Sequence, residues 1–309
     1  MRVLLASPRG FCAGVHRAIA IVEKALETFG RPIYVRHEIV HNRRVVEDLR
    51  QKGAVFVDEL DDVPDDATVI FSAHGVSKAV QDAGNKRPLR VLDATCPLVA
   101  KVHREAERHY ALGNRVILIG HKGHPEVVGT VGHLPDGAME VISNAGEVYD
   151  LPKKDHRGTA YITQTTLSVD ETAETVQALR ARFPDVEAQA KEDICYATQN
   201  RQNAVKALAE QCDLVLVLGA PNSSNSNRLR EVAERAGTVA KLIESAQDVK
   251  LDWLEKVETL GITAGASAPE VLLDELMAFL GSRVSAVDLL SVSEEDVHFA
   301  LPEVLRQGA

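Results

Sequence analysis

The sequence predicts an α/β fold: three pseudo-threefold-related units with parallel sheets around a central cavity. Three observations predict it. A cysteine opens a stretch of helical apolar period three times, at Cys12, Cys96 and Cys195. Each stretch is followed by two apolar runs that end in polar loops. The spacing to the first of those loops is nearly constant: 29 residues from Cys12 to His41, and 28 from both Cys96 to His124 and Cys195 to Ser223. Alternating helices and strands imply parallel sheets, and ligands gather beyond the carboxyl ends of such strands.

Residues 1–12 form a lead-in strand ending in the first cysteine. Unit 1, residues 13–95, runs from a helix through Ala18-Ile19-Ala20-Ile21-Val22 to a strand at Pro32–Val35 and a loop at His41. Its second strand, Val69–Phe71, leads to His74. Unit 2, residues 96–194, opens on Cys96-Pro97, where proline suits the first helical turn because its missing N–H is not needed there. Its strands, Val116–Ile119 and Tyr161–Thr163, end at His124-Pro125-Glu126 and Thr165-Thr166. Unit 3, residues 195–280, has strands Leu214–Leu218 and Gly261–Ala264, ending at Ser223-Ser224-Asn225 and Ser267. The tail, 281–309, carries no such loop and is expected to close the structure.

Of the 309 residues, 45% are hydrophobic and 26% charged, the composition of a soluble globular chain. A net charge of −10 argues against nucleic acid or an anionic membrane as partner. No apolar run approaches the roughly 20 residues of a membrane span, and no dimer seam is evident, so a cytoplasmic monomer is expected. Four cysteines are too few for a disulfide scaffold, so metal or catalytic roles come forward.

Three cysteines at matching positions point to one shared site. Spacings of 84 and 99 residues exclude a local zinc knuckle. They fit one [4Fe–4S] cluster per chain, with three irons held by Cys12, Cys96 and Cys195 and one iron open. The plain alternative is three ordinary buried cysteines; Cys212, with no counterpart in the other units, is read as a small core or surface residue.

His41, His74 and His124 match Ser223, Ser224, Asn225 and Ser267 of the third unit as hydrogen-bond donors. Converging donors near helix N-termini suit a phosphate or diphosphate. The remaining eight histidines, His156 among them, are read as structural or solvent-exposed. Glu126 is a general acid if burial raises its pKa, or else a capping residue. Thr165 and Thr166 relay a proton or cap the next helix, with Asp170 the expected N-cap.

Nine motifs then carry a resemblance. Pro8-Arg9-Gly10-Phe11-Cys12-Ala13-Gly14-Val15, the stretch from Val35 to Asn42, and Phe71-Ser72-Ala73-His74-Gly75-Val76 resemble the LytB/IspH family. So do Asp93-Ala94-Thr95-Cys96-Pro97-Leu98-Val99, Gly123-His124-Pro125-Glu126-Val127 and Thr163-Gln164-Thr165-Thr166-Leu167-Ser168. Asp193–Thr198, Asn222–Leu229 and Thr263–Pro269 complete the set, which covers nearly the whole chain. The resemblance implies a 4-hydroxy-3-methylbut-2-enyl diphosphate reductase activity, the last step of the non-mevalonate isoprenoid route. It implies cluster ligation by Cys12, Cys96 and Cys195. It also implies diphosphate binding by His41, His74, His124, Ser223, Ser224, Asn225 and Ser267. Glu126 would supply protons and Thr165 would position the substrate hydroxyl. The electron donor would be of flavodoxin or ferredoxin type. Two other readings fit parts of the pattern: a three-thiolate zinc hydrolase with Glu126 as base, and a cluster-carrying sensor that needs neither Glu126 nor the loops.

Overall fold

The computed structural model describes residues 1–152, 157–187 and 193–306; His156 lies outside them. The chain begins with β1 (Arg2–Ser7), α1 (Ala13–Phe29), β2 (Ile33–Arg36), α2 (Arg43–Lys52), β3 (Ala54–Val57), β4 (Thr68–Phe71), α3 (Lys78–Lys86) and β5 (Arg90–Asp93). It continues with α4 (Pro97–Ala111), β6 (Arg115–Ile119), α5 (Pro125–Val131), β7 (Met139–Ile142), β8 (Thr159–Thr163), α6 (Val169–Arg182) and β9 (Val186–Glu187). Then come α7 (Tyr196–Ala209), β10 (Leu214–Leu218), α8 (Ser224–Arg235), β11 (Val239–Ile243), β12 (Thr259–Ala264), α9 (Val271–Leu280), β13 (Ala286–Ser291) and α10 (Glu303–Arg306).

The strands form three parallel sheets among the described residues, ordered β3-β2-β4-β5, β7-β6-β8-β9 and β11-β10-β12-β1-β13. The first four places of each order repeat one plan. In the third sheet the fourth place belongs to β1, from the other end of the chain, and β13 of the tail pairs beyond it. The expected α/β class with parallel sheets is thus present. By contacts the chain gathers into two compact units. One comprises Met1–His16, His41–Asp48 and Tyr196–His298; the other comprises Arg17–Val40, Leu49–Cys195 and Phe299–Ala309.

The middle strands show why these sheets are parallel and covered. All five residues of β10 are buried. Leu214, Leu216 and Leu218 face one core with Leu272, Leu273 and Leu276 of α9. Val215 and Val217 face another core with Ala204, Val205 and Leu208 of α7. β6 repeats this, with Ile117 and Ile119 on one side and Val116 and Leu118 on the other. Burial of each such side chain contributes about 1.5–3 kcal/mol, so a charge at Val217 would break both the strand and its helix packing. No described helix is long and apolar enough to cross a membrane.

Candidate active site

Each cysteine follows the fourth strand of its sheet and stands immediately before a helix: Cys12 before α1, Cys96 before α4, Cys195 before α7. Their backbone N–H groups find matching partners. Cys12 donates to the Ala266 carbonyl at 3.3 Å, Cys96 to Ala73 at 3.0 Å and Cys195 to Thr165 at 3.0 Å. The acceptors lie in the loops that follow β12, β4 and β8. None of the four cysteines forms a disulfide; Cys12, Cys96 and Cys195 are partly exposed and Cys212 is buried. Burial, the largest influence, pushes the Cys212 thiol up to about 11, as befits a core residue. The other three stand immediately before helix N-termini. Free, partly exposed cysteines in matched turns are the donor chemistry that a three-cysteine cluster takes. Among the described residues, no three His, Cys, Asp or Glu side chains are gathered for a single metal ion.

In the larger unit, which holds the first two sheets, the His74 and His124 rings meet edge to face with centroids 5.8 Å apart. His124 is the N-cap of α5, and its Nδ1 accepts from the Glu126 backbone N–H at 3.2 Å. A neutral ring accepting at Nδ1 carries its proton on Nε2, where it is a donor. Gly75 turns the chain after His74 with φ +80°; a Cβ there would lie 2.7 Å from the His103 ring. That ring stacks on His133 at 3.9 Å. Burial first, and then His133, lowers the His103 pKa to about 3. Both histidines are buried, in keeping with a structural role.

Glu126 is buried in the first turn of α5. Its Oε1 accepts from the Thr165 backbone N–H at 2.6 Å and its Oε2 from the Thr165 hydroxyl at 2.9 Å. Desolvation is the largest influence and raises its pKa to about 7. The two Thr165 hydrogen bonds oppose that rise, and the charge of Asp193 adds to it. The sequence expectations for Glu126 and Thr165 thus meet in one hydrogen-bonded pair. Asp193, not singled out from sequence, is buried and binds the Thr163 N–H at 3.0 Å and Lys101 at 3.2 Å. The expected N-cap Asp170 is replaced by Ser168, whose hydroxyl accepts from the Glu171 N–H at 3.3 Å; Asp170 falls inside the first turn. Backbone register also places Thr166, rather than Thr165, level with His74 and Ser267, because the carbonyls of Ala73, Thr165 and Ala266 are the equivalent acceptors. Counting from the strand ends, rather than from the cysteines, gives this alignment.

In the other unit His41, Asn222 and Ser267 are neighbours. Asn222 Nδ2 lies 3.3 Å from His41 Nδ1, and the Ser267 hydroxyl donates to the His41 carbonyl at 2.8 Å. Ser223 caps α8, accepting from the Ser226 N–H at 3.3 Å and the Ser226 hydroxyl at 3.0 Å. Ser224 and Asn225 form the first helical turn. Asn225 is buried, yet neither its Oδ1 nor its Nδ2 has a protein partner. A buried amide left unpaired is unfavourable by about 1–3 kcal/mol, so Asn225 is a cost that the protein's own contacts do not offset.

Comparison with known proteins places the chain in a family. The model of the LytB protein family matches residues 3–281. A 4-hydroxy-3-methylbut-2-enyl diphosphate reductase of Magnetococcus marinus is 66% identical, covering 99% of this chain and 100% of its own. The protein of the same description from Gluconobacter oxydans is 59% identical over 98% of this chain and 92% of its own. Among solved structures, the E-1-hydroxy-2-methyl-but-2-enyl-4-diphosphate reductase of Plasmodium falciparum has a TM-score of 0.95 and 37% identity, covering 99% of this chain and 96% of that one. The matched turns, the Glu126–Thr165 pair and these end-to-end likenesses lead to one assignment: the chain belongs to the LytB family.

Proposed function

We propose that this chain removes the allylic hydroxyl of 4-hydroxy-3-methylbut-2-enyl diphosphate by two-electron reduction. The products are isopentenyl diphosphate and dimethylallyl diphosphate, and the step is the last of the non-mevalonate isoprenoid route. The observation that carries the reading is Glu126, buried, bonded twice by Thr165 and raised to about 7. Such a carboxyl holds a proton near neutral pH and can pass it to a poor leaving group. The names of the end-to-end relatives support the same substrate.

Cys12, Cys96 and Cys195 would hold one [4Fe–4S] cluster, leaving one iron open. When bound, it supplies single electrons and a Lewis-acid position for the hydroxyl oxygen. The chain's own residues do the rest. His41, His74, His124, Ser223, Ser224, Asn225 and Ser267 anchor the diphosphate, and binding energy there orients the distant hydroxyl. Thr165 positions that hydroxyl beside Glu126. The balance is two electrons and two protons: one proton leaves with the hydroxyl as water, and the other ends on carbon. Protonation at either end of the three-carbon allylic fragment yields the two isomers. Electrons arrive one at a time from a flavodoxin- or ferredoxin-type carrier, and the chain works as a cytoplasmic monomer.

Turnover in D2O with a dithionite-reduced mediator tests this. Each product molecule should carry one carbon-bound deuterium. Release of inorganic phosphate without reduced product would instead mark a hydrolase.

A further inference from the structure

The three cysteine turns are held in different ways. The Cys96 turn is locked from within: Asp93, three residues earlier, accepts from the Thr95 N–H at 2.8 Å and from the Thr95 hydroxyl at 2.5 Å. The Cys195 turn has Asp193 two residues earlier, bonded to the Thr163 N–H and Lys101. The Cys12 turn, Pro8-Arg9-Gly10-Phe11, contains no carboxylate. It follows β1, and its cysteine N–H makes the longest of the three equivalent bonds.

What holds it comes from far away in sequence. Arg201, on α7, is fully buried. Its Nε and Nη2 donate to the Gly10 carbonyl at 3.1 and 2.8 Å, and Nη2 reaches the Phe11 carbonyl at 3.4 Å. Nη1 donates to Ala197 O on its own helix at 2.9 Å. Glu295, in the tail after β13, faces the same guanidinium, with Oε1 2.9 Å from Nη1 and Oε2 3.3 Å from both Nη1 and Nη2. Asn200 Nδ2 donates to Glu295 Oε1 at 3.1 Å. Gly10 adopts φ +66°, and a Cβ there would sit 3.3 Å from Ala268 O, so the carbonyl that Arg201 grips belongs to a turn with little room to shift.

We propose that Arg201 and Glu295 form a latch through which the C-terminal segment fixes the Cys12 turn. Arg201 is a positioning residue for the Cys12 side chain, and Glu295 keeps the guanidinium aimed at Gly10 and Phe11. A planar fork with five donors suits this task, because it serves a carboxylate and three carbonyls at once. Lysine at 201 has three donors on one atom and cannot span them. The idea rests on the cluster reading for its consequence but not for its geometry.

The test therefore has a readout that needs no cluster. The alkylation rate of each cysteine in the iron-free protein is followed by mass spectrometry for wild type, Glu295→Gln and Arg201→Lys. Cys12 should react roughly tenfold faster in Glu295→Gln, the lower end of what a lost charge-assisted hydrogen bond is worth. Cys96 and Cys195 should keep their wild-type rates. Equal rates at Cys12 in wild type and Glu295→Gln, or a uniform rise at all three cysteines, would overturn the latch. Arg201→Lys should show the same selectivity; if it unfolds, Glu295→Gln alone decides. In reconstituted protein, a chelator should strip iron faster from Glu295→Gln than from wild type. Protein that binds no iron at all would refute the cluster reading and leave the alkylation result standing.

Discussion

Two helix N-termini, built alike, have been given opposite chemistry. α5 is capped by His124 and α8 by Ser223, and two residues on from each cap stand Glu126 and Asn225. Both side chains are almost fully buried, at 3% and 4% exposure. Glu126 is satisfied inside the protein by Thr165, whereas Asn225 has no protein partner on either amide atom. The equivalent position of α2, capped by Asn42, is the half-exposed Arg44, paired with Asp48 and Glu275. One scaffold position thus supplies a proton-holding group in one unit and a neutral, unpartnered amide in the other. The lesson is that a repeated backbone sets where a side chain sits, while its hydrogen-bond partners decide whether it stores a proton or stays unpartnered.

The contrast can be broken from its acidic side first. Glu126→Gln should lower turnover roughly 10²- to 10⁴-fold, the usual worth of a general acid, with iron content and substrate affinity kept. Steady-state kinetics beside an iron assay measures both. From the amide side, Asn225→Leu should weaken substrate binding roughly 10- to 100-fold, as for a hydrogen bond to a charged group. The same variant should leave the ligand-free Tm unchanged or raised, since it removes two unpaired buried polar atoms. A lower Tm would show that Asn225 is structural.

Thr165→Val sharpens the acidic side. Its hydrogen bonds hold the Glu126 pKa down against burial, so loss of the hydroxyl moves that pKa further up. Because the protonated form acts, wild-type activity should fall as pH rises through about 7, and in Thr165→Val the fall should shift to higher pH. A pH–rate profile shows it. The smallest effect is on stability. Glu126 is raised from 4.5 to about 7 on folding, so its favourable contribution is complete below 4.5 and is lost as pH rises through 7. Glu126→Gln should remove that slope, a change on the order of 5 °C in Tm between pH 5 and 8.

Much of this contrast was legible in the sequence because it is local. The inner strands β2, β4, β6, β8, β10 and β12 follow from apolar runs ending in polar loops, and the loops then place His74, His124, Glu126 and Asn225. The outer strands were not legible. β3 is four residues that follow α2 with only Gly53 between, and β9 is two residues long. Too few side chains alternate there to declare a strand. The place of β1 in the third sheet joins opposite ends of the chain, and periodicity carries no such long-range information. Arg201 escaped for the same reason: its partners lie 190 and more residues upstream and 94 downstream. Asp170 looked like a cap because it begins an acidic turn, but Ser168 has the hydroxyl one helical turn before the N–H it serves.

The central claim is tested most directly by anaerobic reconstitution with iron and sulfide, a count of iron per chain, and addition of the allylic diphosphate with dithionite and a mediator. The account predicts about four irons per chain, consumption of the diphosphate and two isomeric reduced products. A colourless protein without iron, with the diphosphate left intact or merely hydrolysed, would contradict it.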